Sequence, residues 1–397
     1  MPEAVIVDAV RTPIGRAVKG SLKSMRADDL AAIPLRALME RNPQVDPKSI
    51  GDVMMGCGYG EGETGYNVGR IAALLAGIDH HVPATTVNRF CASSLQTTRM
   101  AFHAIKAGEG DTYVAAGVEA VSRVGRGSQF EFNPKLDGSE DSLYNVYIPM
   151  GMTAENVADR CKVSREAQDE WALISQTRAV AAVEEGHFDK EIVPVTVPAH
   201  KDVDKEGNEI DVPETVVVKD DGPRPGTTME KLAALPPVFK QDGSVTAGNA
   251  CPLNDGAAAL LVMSEERAAA LGLKPRARII ASTVAAIRPE IMGLGPIPAI
   301  QQLLKNTGMS MSDVDVVEIN EAFAAQIVPC KQELDIDDEK LNPFGGAIAL
   351  GHPFGMTGAR IMTTLLNDLE TRDETYGIES MCVAGGMGMA MLVERLS

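Results

Sequence analysis

Four residues of this chain stand where side-chain chemistry is possible: Cys91, Asn320, His352 and Cys382. Cys91 lies in "TVNRFCASSLQTTRMAFHAIKAG", residues 85–107, where an apolar strand enters a turn. The run from Leu95 to Ile105 then repeats at helical spacing, with Met100, Ala101, Ala104 and Ile105 on one side. The thiol therefore sits at or near a helix N-terminus, where unpaired N–H groups and the positive end of the helix dipole favour loss of its proton. A small buried apolar cysteine fits the same residues. His352 stands in "FGGAIALGHPFGMTGAR", whose five glycines permit tight turns and close approach of backbone to a ligand. Beside Pro353, at the mouth of a helix starting near Thr357, it also fits a structural capping residue. Cys382, in "ESMCVAGGMGMA", ends a strand before Gly385, Gly386 and Gly388, where a side chain is exposed and a backbone N–H can face a ligand. A buried strand cysteine is the other reading. Asn320, in "EINEAFAAQ", follows an apolar strand and reads as the N-cap of the next helix unless its amide faces a cavity.

The elements that must position these groups alternate. Through residues 1–120 the order is "AVIVDAV", a helix from about Ala27 to Glu40, "DVMMGC", a helix near 67–76, the Cys91 helix and "TYVAAGVEA". That order predicts an α/β region with a mainly parallel sheet. From 121 to 250 the texture changes to Gly and Pro clusters ("GRGSQFEFNPKLDG", "KDDGPRPGTT"), a helical centre from Thr153 to Glu185 and the polar "AHKDVDKEGNE". This stretch reads as a loop-rich insertion. The alternation then returns and parallels the first half: "ARIIASTVAAI" matches the opening strand, "VDVVEINEAF" matches "GDVMMGCGYG", and the His352 segment with its following strand matches the Cys91 segment with its own. The expected fold is thus a duplicated α/β core with an insertion: 1–120 the first core half, 121–250 the insertion, 251–397 the second core half. Pseudo-symmetry sets His352 opposite Cys91.

Composition narrows the function. With 397 residues, two or three domains are expected, and 45% hydrophobic with 23% charged residues is ordinary for a globular protein. A net charge of −18 argues against nucleic acid or an anionic membrane as partner, and an anionic substrate needs a local basic patch. No apolar run approaches the ~18 residues that span a membrane. The start, "MPEAVIVDAVRTPIG", enters a strand at once, and the end, "VERLS", carries no peroxisomal or retention signal. Six cysteines, at 57, 91, 161, 251, 330 and 382, form no CxxC pair, which fits free thiols in a reducing compartment, a cytoplasmic location and no metal site. GxSxG, GxxxxGK[ST], HExxH and GxGxxG are missing, which argues against nucleotide-cofactor hydride transfer and P-loop phosphoryl transfer.

In order along the chain, "NRFCASSLQ", "NEAFAAQ", "GGAIALGHPFGMTGARI" and "CVAGGMG" resemble the thiolase family. "TAGNACPLNDGAAALLV" resembles the family segment before the second core half, and "MGMTAENVADRCKVSREAQDEWALISQ" its insertion helix. The resemblance covers essentially the whole chain and is nearest to the bacterial degradative branch. It implies a layered αβαβα fold, coenzyme A (CoA) as a substrate, no prosthetic group and a two-step acyl transfer. Cys91 would attack the 3-keto carbon of a 3-oxoacyl-CoA, releasing acetyl-CoA, and CoA would then take the acyl group. His352 would activate Cys91 and, with a water held by Asn320, form one oxyanion site. The N–H groups of Cys91 and Ala384 would form the other, and Cys382 would move the proton at the acetyl carbon. For CoA the resemblance implies Arg224 near the adenine and phosphates, and Cys251 at a contact position. Lys231, with Lys219 and Lys240, supplies local positive charge, and Met150 and Phe323 line the pantetheine and acyl channel. The chain departs from the family at Ala384 (often Gly), Pro149 (often His), Cys251 (often Ser) and Met356 (commonly Cys).

Three alternatives accompany this reading. One is an acetoacetyl-CoA thiolase working in condensation, and another is a silent thiolase-like lipid carrier, which would lack one of Cys91, His352 or Cys382. The third is a condensing enzyme with two histidines and an acyl carrier protein. The resemblance further implies a homodimer or homotetramer, free or within a β-oxidation complex.

Overall fold

The computed structural model describes residues 1–124, 131–204 and 207–397; residues 125–130 and 205–206, in two loop stretches expected within the insertion, lie outside the described residues. The first half runs β1 (Ala4–Arg11), α1 (Ala27–Arg41), β2 (Asp52–Gly56), α2 (Val68–Leu75), β3 (Ala84–Val87), α3 (Ser93–Ala107) and β4 (Thr112–Ala120). The insertion adds α4 (Met150–Cys161), α5 (Arg165–Glu184) and two short antiparallel ladders, Val195–Val197 with Thr215–Val217 and His200–Val203 with Glu209–Val212. After it come β5 (Asn254–Ser264), β6 (Ala277–Ala286), α6 (Pro296–Thr307), β7 (Val316–Ile319), α7 (Ala324–Glu333), α8 (Thr357–Arg372), β8 (Tyr376–Val383) and β9 (Met387–Arg395).

The strands lie in the order β7-β8-β9-β6-β1-β5-β4-β2-β3. The duplication is visible in the pairing senses. β2 is parallel to β4, β4 antiparallel to β5 and β5 antiparallel to β1; likewise β7 is parallel to β8, β8 antiparallel to β9 and β9 antiparallel to β6. The counterpart of β3, which pairs parallel to β2, shrinks to a parallel bridge between Val317 and Leu341. The two halves meet where β1 pairs with β6 at Val5–Arg278 and Ile6–Ala277.

The strands of residues 1–120 run parallel to one another, as expected, but the whole sheet is mixed, because β5 and β9 each return antiparallel beside the strand that precedes them in their half. Strand sense leaves no trace in local hydrophobic periodicity. The division at 251 also fails to coincide with the change of half, since β5 lies between β1 and β4 of the first half and the second half's own strands begin at Ala277.

Burial follows from the layering. Every residue of β1 is buried, yet its side chains part by alternation: Ala4, Ile6 and Ala9 enter one core cluster, Val5, Val7 and Val10 another. The first cluster is shared by both halves and holds Leu95 and Ile105 of α3 with Met362 and Leu365 of α8. The second packs α1 and α2 on the outer face of the first half, and a third packs α6 and α7 on the outer face of the second. The result is the expected αβαβα stack, with α3 and α8 at its centre.

These two helices cross tightly. The Ala359 N–H, an orphan in the first turn of α8, donates to Ser94 Oγ of α3 at 2.8 Å, and a Cβ at Gly358 would lie 2.2 Å from the Leu95 backbone nitrogen. Backbone cannot yield as a side-chain tip can. Gly358→Ala is therefore expected to lower unfolding free energy by about 1–3 kcal/mol in urea titration; an unchanged midpoint would contradict this close crossing.

Candidate active site

Cys91 follows β3 in a short turn, Phe90–Ala92, that runs directly into α3. Phe90 holds a left-handed φ of 43°, which costs backbone energy for a bulky residue. It is fixed there by its N–H donating to Asn88 Oδ1 at 2.7 Å and by Ser93 Oγ donating to its carbonyl at 2.7 Å. The Cys91 sulfur faces two backbone N–H groups, that of Ala384 and its own. Burial nevertheless outweighs both and pushes the thiol up to about 11, with the Glu119 carboxylate adding to the rise. The easing of proton loss expected from the helix N-terminus is outweighed, because desolvation of a buried anion exceeds what two N–H groups return.

His352 sits just before α8. The Thr357 hydroxyl lies 2.6 Å from its Nδ1 and itself donates to the Pro353 carbonyl at 2.8 Å. With its one proton spent, that hydroxyl can only accept from the ring. Nδ1 therefore carries the hydrogen, and Nε2 presents a lone pair, toward which Asn320 Nδ2 donates at 3.3 Å. Burial, with the nearby Arg360 charge second, lowers the imidazole to about 3, so the ring is neutral at ordinary pH. Among the described residues no direct hydrogen bond joins Cys91 to His352.

Asn320 is not a helix cap. α7 begins at Ala324 with Phe323 at the cap position, and the Asn320 amide turns to His352 while its N–H donates to the Ser380 carbonyl at 2.9 Å. The next residue, Glu321, is fully buried and accepts from Trp171 and Ser175 of α5, Asn342 and the Ile348 N–H, which anchors the insertion beneath the site.

Cys382 is fully buried in β8; burial first, then the fields of Cys91, Cys330 and Cys251, hold its thiol well above the usual range. The turn after it supplies the Ala384 N–H. Ala384 keeps a negative φ, while Gly385 and Gly386 take the left-handed values of 81° and 83°, so the donor survives the alanine. Met150 and Phe323 pack with Cys382, Ala322 and Met292 in one apolar cluster, which Ala250 joins. Cys251 lies beside it, its N–H donating to the Ala322 carbonyl at 3.1 Å, its thiol raised by burial and then by the fields of Cys91 and Glu321.

Sequence reasoning missed three contributors. Thr357 sets the His352 tautomer. Glu119, at the end of β4, is fully buried and accepts the N–H groups of Gly58 and Gly355 at 2.9 Å and of Tyr59 at 3.2 Å, tying a first-half loop to the turn that follows His352. Burial lifts its carboxyl to about 7 against the pull of those donors. Arg16 lines a groove of about 310 Å³ with Arg224, Lys231, Ala250, Pro252 and Ile348. Lys240, by contrast, pairs with Asp159, and Lys219 is exposed; neither lines the groove.

Comparison with known proteins accords with this arrangement. The profile of "Thiolase, N-terminal domain" matches residues 4–266, and that of "Thiolase, C-terminal domain" matches residues 273–395. The chain belongs to the thiolase family. As a thiolase it is an acyltransferase with coenzyme A as a substrate. It is 48% identical over 417 residues to the β-ketoadipyl-CoA thiolase of Acinetobacter baylyi, covering 100% of both chains. It is 46% identical over 400 residues to the 3-ketoacyl-CoA thiolase of Aeromonas hydrophila, again covering 100% of both. The crystal structure of the Bacillus anthracis acetyl-CoA acetyltransferase superposes with a TM-score of 0.89 at 42% identity, over 100% of this chain and 99% of that one. The profile boundary between 266 and 273 places β5 with the first half, as its pairing does.

Two outcomes follow for this thiolase. Thr357→Val, which removes the acceptor for Nδ1–H, is expected to lower acyl-transfer kcat/KM by about tenfold or more, with Thr357→Ser restoring it; a valine variant of full activity would remove the tautomer assignment. Alkylation of Cys91 by iodoacetamide in the resting enzyme is expected to climb roughly tenfold per pH unit from about pH 7 to 10. A plateau reached by pH 8 would contradict a thiol held up by burial.

Proposed function

We propose that this enzyme cleaves 3-oxoacyl-CoA with CoA, giving acetyl-CoA and a shortened acyl-CoA through an acyl group on Cys91. One observation carries the reading: the Cys91 sulfur of the first half faces the Ala384 N–H in the turn that follows Cys382 of the second. Nucleophile and proton-handling thiol thus lie close together where the two halves meet. All of Cys91, His352 and Cys382 are present, which sets aside the silent lipid carrier.

In the first step the Cys91 proton passes to His352 Nε2, the nitrogen that the Thr357 contact leaves without a hydrogen, in place of the Asn320 donor that occupies its lone pair at rest. Burial disfavours each charge alone, but the thiolate and imidazolium form together and offset one another. The thiolate attacks the 3-keto carbon. Charge developing on that oxygen, one bond from the carbon that the Cys91 sulfur has joined, is stabilised by the Cys91 and Ala384 N–H groups, and the thioester enolate by the imidazolium and the Asn320 side. The C2–C3 bond breaks, and Cys382 gives its proton to C2, so acetyl-CoA leaves. CoA then gives its thiol proton to the Cys382 thiolate, its sulfur displaces the Cys91 sulfur from the acyl carbon, and the Cys91 thiolate takes its proton back from the His352 imidazolium, so that all three groups return to their starting forms.

The relatives support a 3-oxoacyl-CoA substrate and differ in the tail that their names specify: a β-ketoadipyl group in one, an unspecified 3-ketoacyl group in the other. Condensation of acetyl-CoA is the reverse of the same steps. β3 is half-exposed and paired on one side only, which supports association into a homodimer or larger homo-oligomer through that sheet edge. Among the described residues no helix is long and apolar enough to cross a membrane, and all six cysteines are free, which supports a cytoplasmic setting.

Steady-state thiolysis of 3-oxoacyl-CoA substrates of graded length, with and without a terminal carboxylate, tests the assignment. Wild type is expected to turn over at least one series, and Cys91→Ala to lose roughly 10³-fold or more while still binding CoA. Retained turnover in that variant would remove the mechanism.

A further inference from the structure

Among the described residues no hydrogen bond joins Cys91 to His352, so proton transfer between them depends on how firmly their two segments are held to one another. The crossing of α3 on α8 fixes the helices; the turns that precede them need a tie of their own. Glu119 makes it. It lies on the same face of β4 as Gly117, two residues past the last pairing with β2, where the chain of β2 runs on into Cys57, Gly58 and Tyr59. Its Oε2 accepts the Gly58 N–H and the Gly355 N–H, each at 2.9 Å. Its Oε1 accepts the Tyr59 N–H at 3.2 Å, with the Cys57 thiol at 3.9 Å.

A single oxygen atom is thereby bonded to two segments, and each leads to a reacting group. From Gly355 the chain runs back over Phe354 and Pro353 to His352, and the Phe354 ring stands edge-on to the imidazole at 5.0 Å and to Tyr59 at 5.4 Å. From Gly58 the path runs through Asn88. Its Nδ2 donates to the Gly58 carbonyl at 2.9 Å, and its Oδ1 accepts the Phe90 N–H at 2.7 Å, which holds the left-handed residue immediately before Cys91. Neither segment has room to drift. A Cβ at Gly58 would lie 2.8 Å from Glu119 Oε2 itself, and one at Gly355 would lie 2.2 Å from the Val118 carbonyl oxygen and 2.8 Å from the Cys57 Cα.

Glu119 is fully buried and makes no ion pair among the described residues; the charge that acts on it is that of Asp255, of like sign. A buried carboxyl without a counter-charge costs stability. What it offers in return is geometry, because two oxygens with about four lone-pair directions can take N–H groups from two chain segments at once. We propose that Glu119 is the positioning residue that sets the spacing of Cys91 and His352, by holding Gly58 and Gly355 on one oxygen atom, and that it acts as an acceptor and not as a proton carrier. This rests on the reading of Cys91 and His352 above.

Steady-state thiolysis of a 3-oxoacyl-CoA that wild type turns over tests the proposal in Glu119→Ala, Glu119→Gln and Asn88→Ala, with Cys91→Ala as reference. Glu119→Ala is expected to lower kcat about a hundredfold, with KM for CoA within about threefold of wild type. Glu119→Gln keeps one acceptor oxygen for the two bridging N–H groups and gives up the contacts of Oε1, so it should hold kcat within about tenfold of wild type. Asn88→Ala cuts the arm to Phe90 and should lower kcat about tenfold at unchanged KM. The proposal is overturned if Glu119→Ala keeps the wild-type kcat, or if Glu119→Ala and Glu119→Gln lose equally, which would mark proton transfer or charge. It is also overturned if KM rises in step with the loss, which would mark general disruption of the site. Should Glu119→Ala fail to fold, a loss of about a hundredfold in Glu119→Gln, or a wild-type kcat in Asn88→Ala, overturns it. With Cys91→Ala inactive, any of these failures leaves the acyl-transfer mechanism standing; turnover retained by Cys91→Ala removes the mechanism itself.

Discussion

The molecule depends on one close contact, the crossing of α3 on α8 at the centre of the stack. Glycine at 358 lets the backbone at Leu95 approach, and Ser94 caps an orphan N–H of the opposing helix. The same intimacy continues upward: a Cβ at Gly117 would meet the Gly355 carbonyl oxygen at 2.0 Å, and Glu119 clasps the Gly355 N–H. Cys91 precedes one helix and His352 the other. A duplicated fold whose central helices touch at their N-terminal ends therefore sets two reactive groups at one place without any long loop reaching across.

Desolvation governs the chemistry of that place. It raises the thiols of Cys91 and Cys382, lowers His352 and lifts Glu119 toward neutrality. At rest the two thiols and the imidazole are thus held toward their uncharged forms. Because the site is closed, donors aimed at the developing charges act at close to full strength. The groove of Arg16, Arg224 and Lys231 is the reverse: among the described residues these cations make no ion pair, in an otherwise acidic protein.

Much of this was legible in the sequence, for identifiable reasons. The turn-to-helix junctions at Cys91 and His352, the alternation of elements and the duplication all rest on local periodicity, and all appear. Residue roles came from the family resemblance, since no spacing argument links Cys91 to Cys382 across nearly three hundred residues. What failed was non-local. The senses of β5 and β9, and the return of β5 to the first half, are set by partners distant in the chain. The Cys91 thiol was misjudged because a helix terminus can be read from sequence and burial cannot. Asn320 looked like a cap because a strand end and a helix follow one another in sequence, yet the helix starts four residues later. Thr357, Glu119 and Arg16 carried no signal of their own; each matters through one contact made by the fold.

The central claim, that both halves build a single site with Cys91 as its acyl carrier, meets its most direct test in mass spectrometry of the acyl-enzyme. Incubation with a 3-oxoacyl-CoA in the absence of free CoA, followed by acid quench and peptide mapping, is predicted to place one acyl group on Cys91. Added CoA should discharge it, and His352→Ala should slow its formation. An acyl group found on Cys382 or Cys251 instead, or none on any thiol of an enzyme that turns over, would contradict the account.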